Sequence, residues 1–148
     1  MAAAVRIMSF AYSRGAVPEA DLVADMRFLR NPHWQEGLRH LTGLDPQVGA
    51  YIAGDAAYAE AMAALEARLL ALLDGGAKDA HVRAAFGCTG GRHRSVHVAE
   101  QIAARLRAAG FSPNLVHRDL AAPPRDGIDD PQRRQTQDQK RTAFKVDE

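Results

Sequence analysis

A glycine-rich loop between an apolar run and an amphipathic stretch constrains the fold of this chain more than any other feature. The run over residues 81–86 is short, apolar and bounded by Gly87, which is typical of a buried strand in a parallel sheet. The stretch over residues 95–109 places Val98, Ile102 and Leu106 at helical spacing and ends at Gly110, which indicates a helix. A strand joined to a helix through a tight loop is typical of α/β domains, so the sequence predicts that class.

The rest of the chain fits the same class. Further strands are predicted over residues 5–10, 21–26 and 114–118. One further helix is predicted to begin at Asp45-Pro46, and another to cover residues 58–73. Strands that alternate with helices form mainly parallel sheets, because each helix returns the chain to the same end of the sheet. We therefore predict a single small α/β domain over residues 1–120, with a mostly parallel four-stranded sheet flanked by helices.

The last part of the chain differs in composition. Residues 121–148 contain prolines and charges of both signs but show no apolar periodicity. Such a segment does not bury enough apolar surface to build a core. We predict a flexible tail over these residues, with Phe144 as a short anchor.

Charge and cysteine content exclude several classes of function. The formal net charge of +1 gives no overall attraction to nucleic acid or an anionic membrane, so such binding would need a local patch. A single cysteine excludes an internal disulfide and a multi-cysteine zinc site. No apolar run approaches the roughly 20 residues of a membrane-spanning helix, and no signal-peptide pattern opens the sequence. We therefore expect a cytoplasmic protein.

The glycine-rich loop predicts an anion site. Its residues, in order, are Cys88, Thr89, Gly90, Gly91, Arg92, His93, Arg94 and Ser95. Glycines allow backbone N–H groups to turn inward, and the helix that follows adds partial positive charge at its N-terminus. The two arginines supply fixed charge and paired donors, and the hydroxyl side chains supply further donors. We expect this loop to bind a phosphate group.

The same loop allows an alternative with catalysis. Cys88, five residues, Arg94 and Ser95 match the Cys-x5-Arg-Ser/Thr pattern of cysteine-dependent phosphatases. In that chemistry a thiolate attacks phosphorus while the arginine and loop amides hold the phosphate oxygens. The general acid would be Asp25 or Asp119, which follow other strands.

Polar residues lie at or beyond the ends of the other predicted strands. They are Asp25, Arg27, Asn31, His33, His117 and Arg118. The carboxyl ends of parallel strands gather at one edge, where ligands bind in α/β sheets, so we expect these side chains to lie near the loop. His93 and His97 are four residues apart, which suits a metal ion, but no third ligand is evident. We predict no metal and no cofactor.

Four stretches together carry a family resemblance. They are residues 25–33 (DMRFLRNPH), 38–45 (LRHLTGLD), 87–95 (GCTGGRHRS) and 117–120 (HRDL). In this order they resemble the C-terminal domain of the RapZ family, and the resemblance covers about residues 5 to 120. Longer members carry a preceding nucleotide-binding domain with a Walker A motif. No Gly-x4-Gly-Lys-Ser/Thr motif occurs here, so the chain looks like a free-standing form of the second domain.

The resemblance implies a sensor and adapter. In the best-known members of the family, this domain binds small regulatory RNA, senses glucosamine-6-phosphate, takes part in recruiting an RNase to the RNA, and self-associates. The resemblance places the sugar phosphate at residues 88–95, with the strand-end residues nearby. Our leading hypothesis is thus a non-catalytic domain that binds a phosphorylated metabolite, with a protein or RNA partner and homo-oligomer formation. The phosphatase remains the alternative, and RNA binding through an arginine-lined face is a third hypothesis.

Overall fold

The computed structural model describes residues 4–75 and 81–122. Four strands are present: β1 (Ala4–Ala11), β2 (Leu22–Asp25), β3 (His81–Cys88) and β4 (Asn114–His117). The three α-helices are α1 (Pro46–Ala53), α2 (Tyr58–Gly75) and α3 (Arg94–Ala108), and short 3-10 turns cover Tyr12–Arg14 and Pro32–Trp34. The predicted strands and helices are confirmed, with bounds that differ by one or two residues.

The strands form one four-stranded sheet in the order β2-β3-β1-β4. Every adjacent pair is parallel, so the prediction of a mostly parallel α/β sheet is confirmed. The register pairs Ala11 with Cys88, Asp25 with Gly87, and Ser9 with His117. The carboxyl ends of all four strands therefore lie at one edge, and the glycine-rich loop leaves that edge from β3, an inner strand.

The core lies between one face of the sheet and the three helices. Val5 and Ile7 of β1 share this face with Phe86 of β3, because side chains alternate along a strand. Buried side chains from the helices complete the cluster: Val48, Ile52, Met62, Leu69, Leu73, Val98, Ile102 and Leu106. Burial of this apolar surface is the main source of stability for the domain.

Phe10 lies on the opposite face of the sheet. Its ring is fully buried and meets the ring of Tyr12 edge to face, with centroids 4.9 Å apart. A Cβ atom at Gly87 would lie 2.5 Å from the Phe10 ring and 2.6 Å from the Tyr12 ring. Gly87 therefore lets an aromatic pair close this side of the sheet beside the loop.

The predicted helix start at Asp45-Pro46 is present, but the Asp45 side chain does not bond to the helix. Asp45 is the N-cap residue and Pro46 follows at the first helical position, but the carboxylate makes no capping hydrogen bond to α1. It accepts instead from the backbone N–H of Thr42 at 2.8 Å. The side chain thus stabilises the turn before the helix rather than the helix itself.

The predicted tail and the membrane question concern the ends and the environment of the chain. Of the tail predicted over residues 121–148, residues 123–148, with Phe144, lie outside the described residues. Among the helices of residues 4–75 and 81–122, none is long and apolar enough to cross a membrane.

Candidate functional site

The glycine-rich loop connects β3, which ends at Cys88, to α3, which begins at Arg94. Five residues therefore separate an inner strand from the N-terminus of a helix. Most of the loop is buried, with Gly90 and Arg92 the more accessible positions. The backbone at such a helix start carries partial positive charge, so the position itself favours an anion.

Gly91 fixes the path of this loop. Its φ angle is +71°, which L side chains rarely adopt. A Cβ atom here would lie 2.9 Å from Cβ of Ala11 and 3.1 Å from Cβ of Asp119. Both neighbours follow or end other strands, so only a glycine lets the loop pack against the ends of β1 and β4.

Two neighbouring segments hold the loop in place. The Ser13 hydroxyl donates to the carbonyl oxygen of Thr89 at 2.7 Å. On the other side, the N–H of Gly43 donates to the carbonyl oxygen of Arg92 at 2.8 Å. These bonds join the loop to the turn after β1 and to the segment before α1. The roles of Ser13 and Gly43 left no signal in the sequence, because both lie far from the loop along the chain.

The Arg94 side chain contacts backbone carbonyl oxygens of another segment. It is 3% exposed, and Nη1 donates to the carbonyl oxygens of Arg27 at 2.7 Å and Leu29 at 3.3 Å. The side chain thus ties the start of α3 to the segment that follows β2. Arg92 is half-buried at the rim, with Nη2 3.4 Å from the carbonyl oxygen of His40.

Asp25 and Arg27 form a two-pronged ion pair beside the loop. Arg27 Nη2 lies 2.6 Å from Asp25 Oδ2, and Nε lies 2.9 Å from Oδ1. Burial works to lower the pKa of Arg27, but the hydrogen bond and charge of Asp25 outweigh it and raise that pKa. The guanidinium also stacks on Tyr12, 4.1 Å from the ring centroid.

Arg118 and Asp119 occupy the other side of the loop. Asp119 Oδ2 accepts from the N–H of Ala11 at 2.7 Å and from Nε of Arg118 at 3.0 Å. Arg118 also donates to the carbonyl oxygens of Ala16 and Ala11. Since Asp119 also contacts Gly91, this pair joins the end of β4 to both the loop and β1.

His117 is placed differently from the other strand-end residues. Its Nδ1 lies 2.6 Å from Oγ of Ser9, and its Nε2 lies 2.7 Å from Oε2 of Glu100. Both ring nitrogens are therefore engaged between β1 and α3. Ser9 is 1% exposed, so this Ser-His-Glu line is closed to a substrate. The sequence did not single out Ser9 or Glu100, since neither departs from the pattern of its strand or helix.

Asn31 and His33 form a small turn beyond Arg27. Asn31 Oδ1 accepts from the N–H of His33 at 3.1 Å, and Nε of Arg39 donates to the carbonyl oxygen of His33 at 2.9 Å. The His33 ring is buried and meets Trp34 edge to face, with centroids 5.3 Å apart. This turn therefore leads from the site toward an exposed aromatic side chain.

The two histidines at the start of α3 are both buried. Burial lowers the pKa of His93 to about 4, with a contribution from the charge of Arg92, and Nε2 has no hydrogen-bond partner among the described residues. Burial also lowers the pKa of His97, whose Nε2 lies 2.9 Å from the Tyr58 hydroxyl. Within the described part of the chain, no group of three His, Cys, Asp or Glu side chains is arranged to hold a metal ion.

Cys88 faces the interior of the domain. It is 2% exposed, and its Sγ donates to Oγ of Ser95 at 3.1 Å. A nucleophile needs access to the reacting atom. Because Cys88 is nearly inaccessible, this geometry does not favour the phosphatase alternative.

Comparison with known proteins adds a family assignment. The family model described as the RapZ C-terminal domain matches residues 3–121. A protein of Rhizorhabdus wittichii, named a nucleotide-binding protein, is 58% identical over 116 residues, which is 77% of this chain and 37% of that protein. Proteins of the same name from Sphingopyxis alaskensis and Novosphingobium aromaticivorans are 50% and 56% identical, over 84% and 80% of this chain. The matched regions are 40% and 39% of those two proteins, so the chain spans about two fifths of the length of these relatives.

Proposed function

The chain belongs to the RapZ C-terminal domain family, and from that premise we propose that it is a non-catalytic domain that binds a phosphorylated metabolite and acts as a regulatory adapter. The proposed ligand class is a sugar phosphate, with glucosamine-6-phosphate the first candidate. The observation that carries the proposal is the loop before α3, which Gly91 pins against the ends of β1 and β4. Such a preorganised loop at a helix N-terminus suits a phosphate group.

The charged groups around the loop support a ligand with both an anionic and a polar part. Three arginines lie on the segments that meet at this edge of the sheet: Arg27 after β2, Arg94 at the start of α3, and Arg118 after β4. Carboxylates lie beside them, at Asp25 and Asp119. A bare phosphate would gain nothing from a carboxylate, whereas the hydroxyl or amino groups of an amino sugar are donors to it.

The buried thiol supports the non-catalytic part of the proposal. A phosphatase of the Cys-x5-Arg type needs an accessible thiolate below the phosphate. Cys88 is instead buried. We therefore infer that the ligand is held and released unchanged.

The adapter role would pass the bound state to a partner, such as an RNase, with self-association as part of the same proposal. RNA binding is a second candidate, and the exposed Trp34 is the observation that favours it. Nearby, Arg30 lies over the ring of Tyr51, 5.4 Å from its centroid. Exposed aromatic rings near arginines suit the stacking of unpaired bases. If RNA binds here through its phosphates, affinity will fall steeply as salt rises, and Trp34→Ala will weaken it.

Calorimetric titration tests the metabolite proposal. The wild-type chain is titrated with glucosamine-6-phosphate, inorganic phosphate and glucosamine, and released phosphate is measured in the same samples. We expect saturable binding of the sugar phosphate without phosphate release. Arg94→Ala should weaken it by about 10- to 100-fold, the equivalent of losing hydrogen bonds to a charged group. Arg107→Ala, an exposed arginine at the far end of α3, is the matched control and should bind normally.

Two results would overturn the proposal. Absence of heat with every phosphorylated ligand, nucleotides included, would remove the metabolite site and bring RNA binding forward. Phosphate release that disappears in Cys88→Ser would show a hydrolase instead of a sensor.

A further inference from the structure

Arg94 connects two parts of the domain that are distant in sequence. Its backbone begins α3 at the end of the anion loop. Its guanidinium reaches the segment after β2, where Nη1 donates to the carbonyl oxygens of Arg27 and Leu29. At 3% exposure it is nearly enclosed, so its position depends on its partners rather than on solvent. A change at the loop that moves this side chain must therefore change its bonds to that segment.

The segment in question runs over residues 27–34, and we call it the coupled segment. Its backbone hydrogen bonds are Leu29 N–H to the carbonyl oxygen of Met26 and Trp34 N–H to that of Asn31, both at 3.2 Å, and Gln35 N–H to that of Pro32 at 2.9 Å. The Arg30 N–H donates to the Asp55 carboxylate at 2.9 Å. In the first half of the segment, the bonds from Arg94 to the carbonyls of Arg27 and Leu29 are added to the burial of the Leu29 side chain.

The segment also leads from the site to the surface. Arg27, at one end, pairs with Asp25 beside the loop. Trp34, at the other end, is 37% exposed although its ring is large and apolar. Exposed tryptophans surrounded by polar residues are frequent anchors of protein interfaces. A shift of the coupled segment would therefore alter the surface that a partner meets.

An anion in the loop competes for Arg94. Both a backbone carbonyl and a phosphate oxygen accept charge-assisted hydrogen bonds from a guanidinium. A phosphate also carries negative charge, so it adds a charge–charge attraction to Arg94 that a carbonyl lacks. An anion bound at the start of α3 would therefore draw the guanidinium away from the two carbonyls.

We propose that Arg94 couples occupancy of the anion loop to the arrangement of residues 27–34 and so to the surface around Trp34. This inference rests on the proposed function, since it needs an anion in the loop. Beyond that function, it explains how an anion bound in the loop would change the surface that a partner contacts. The empty loop leaves Arg94 on the two carbonyls, and the filled loop weakens that contact and rearranges the turn that carries Trp34.

The chain contains its own reporter for this coupling, because Trp34 is its single tryptophan. The experiment titrates glucosamine-6-phosphate while tryptophan fluorescence and calorimetric heat are recorded on the same protein. The coupling predicts a fluorescence change that saturates at the same concentration as the heat. Arg94→Lys keeps a positive charge but lacks the planar fork of donors. It should still bind, with affinity reduced by about 10-fold, and its Trp34 signal should no longer respond.

Arg39→Lys is the matched control. Arg39 is exposed and donates Nε to the carbonyl oxygen of His33, so it also contacts the coupled segment but lies outside the loop. The lysine variant should keep both binding and the Trp34 response. A lost response in this variant would mean that any weakening of the segment has the same effect, and would overturn the specific role of Arg94.

Hydrogen exchange of the wild type gives a second test that needs no substitution. The amides of Leu29, Arg30 and Trp34 should exchange faster when the loop is saturated, with α2 unchanged as the internal reference. Binding by calorimetry with unchanged exchange and a silent Trp34 would overturn the coupling and leave the binding proposal intact. Absence of binding would overturn both.

Discussion

Replacing Gly91 by alanine tests whether the loop is preorganised by the ends of β1 and β4. The backbone φ of +71° costs an alanine about 1–2 kcal/mol. The new methyl would meet Cβ of Ala11 at 2.9 Å and Cβ of Asp119 at 3.1 Å, and such overpacking adds about 1–3 kcal/mol. Neither contact is the end of a flexible side chain, so the neighbours yield little. We expect a total loss of about 2–5 kcal/mol in the free energy of unfolding.

The neighbouring Gly90 provides the control. A Cβ atom at Gly90 meets nothing within 4 Å, and its φ does not lie in the left-handed region. Gly90→Ala should therefore change the free energy of unfolding by no more than about 1 kcal/mol, and a small gain is the expected direction. Both variants are compared with the wild type by urea denaturation, at a ligand-free condition and with saturating glucosamine-6-phosphate.

The comparison also separates stability from binding. Where Gly91→Ala remains folded, its loop can no longer pack as in the wild type, and the sugar phosphate should bind at least about 10-fold more weakly. Gly90→Ala is a control for stability only, because Gly90 belongs to the proposed binding loop. Equal stability and equal affinity for Gly91→Ala would refute the reasoning, and so would a Gly90→Ala variant that is equally destabilised.

Three further predictions concern the buried polar groups. His93 has a folded-state pKa of about 4, against 6.5 for an ordinary histidine, so the unfolded chain binds the proton first as the pH falls. Protonation should therefore lower the free energy of unfolding by about 2 kcal/mol between pH 7 and pH 5. His93→Gln should remove most of this loss, as measured by urea denaturation at the two pH values. Ser9→Ala leaves Nδ1 of His117 without its 2.6 Å partner and should cost about 1–3 kcal/mol, and a double-mutant cycle with His117→Phe should show non-additive losses. Cys88→Ser should retain sugar-phosphate binding, and the native thiol should react with alkylating reagents far more slowly than the unfolded one because it is 2% exposed.

The fold and the place of the glycine-rich loop in it were predictable because their signals are local. An apolar run, glycines and an amphipathic stretch specify β3, the loop and α3 within a short part of the chain. The parallel order of the strands then brings their carboxyl ends together, so Asp25 and Arg118 could be assigned to the edge that carries the loop. These steps use only residue spacing and the geometry of parallel sheets.

The partners of the buried side chains were not predictable. His117 has the same sequence signal as any polar residue near a strand end, and the loop pattern that marks Arg94 does not indicate what its side chain contacts. Their hydrogen bonds to Arg27, Ser9 and Glu100 depend on how separate elements pack. The spacing of residues along the chain does not indicate that packing. The sequence likewise identified Arg94 as a charged group near the loop but not the carbonyl oxygens that it contacts. Tertiary contacts decide which of the strand-end residues face the loop.

The most direct test of the central claim is a nuclear magnetic resonance titration of the ¹⁵N-labelled chain with glucosamine-6-phosphate, with inorganic phosphate as the reference ligand. The account predicts that the largest amide shifts fall on residues 89–94 and saturate together, while the amides at the far end of α3 stay unchanged. Shifts that are absent from the loop, or that cluster elsewhere on the domain, would contradict it.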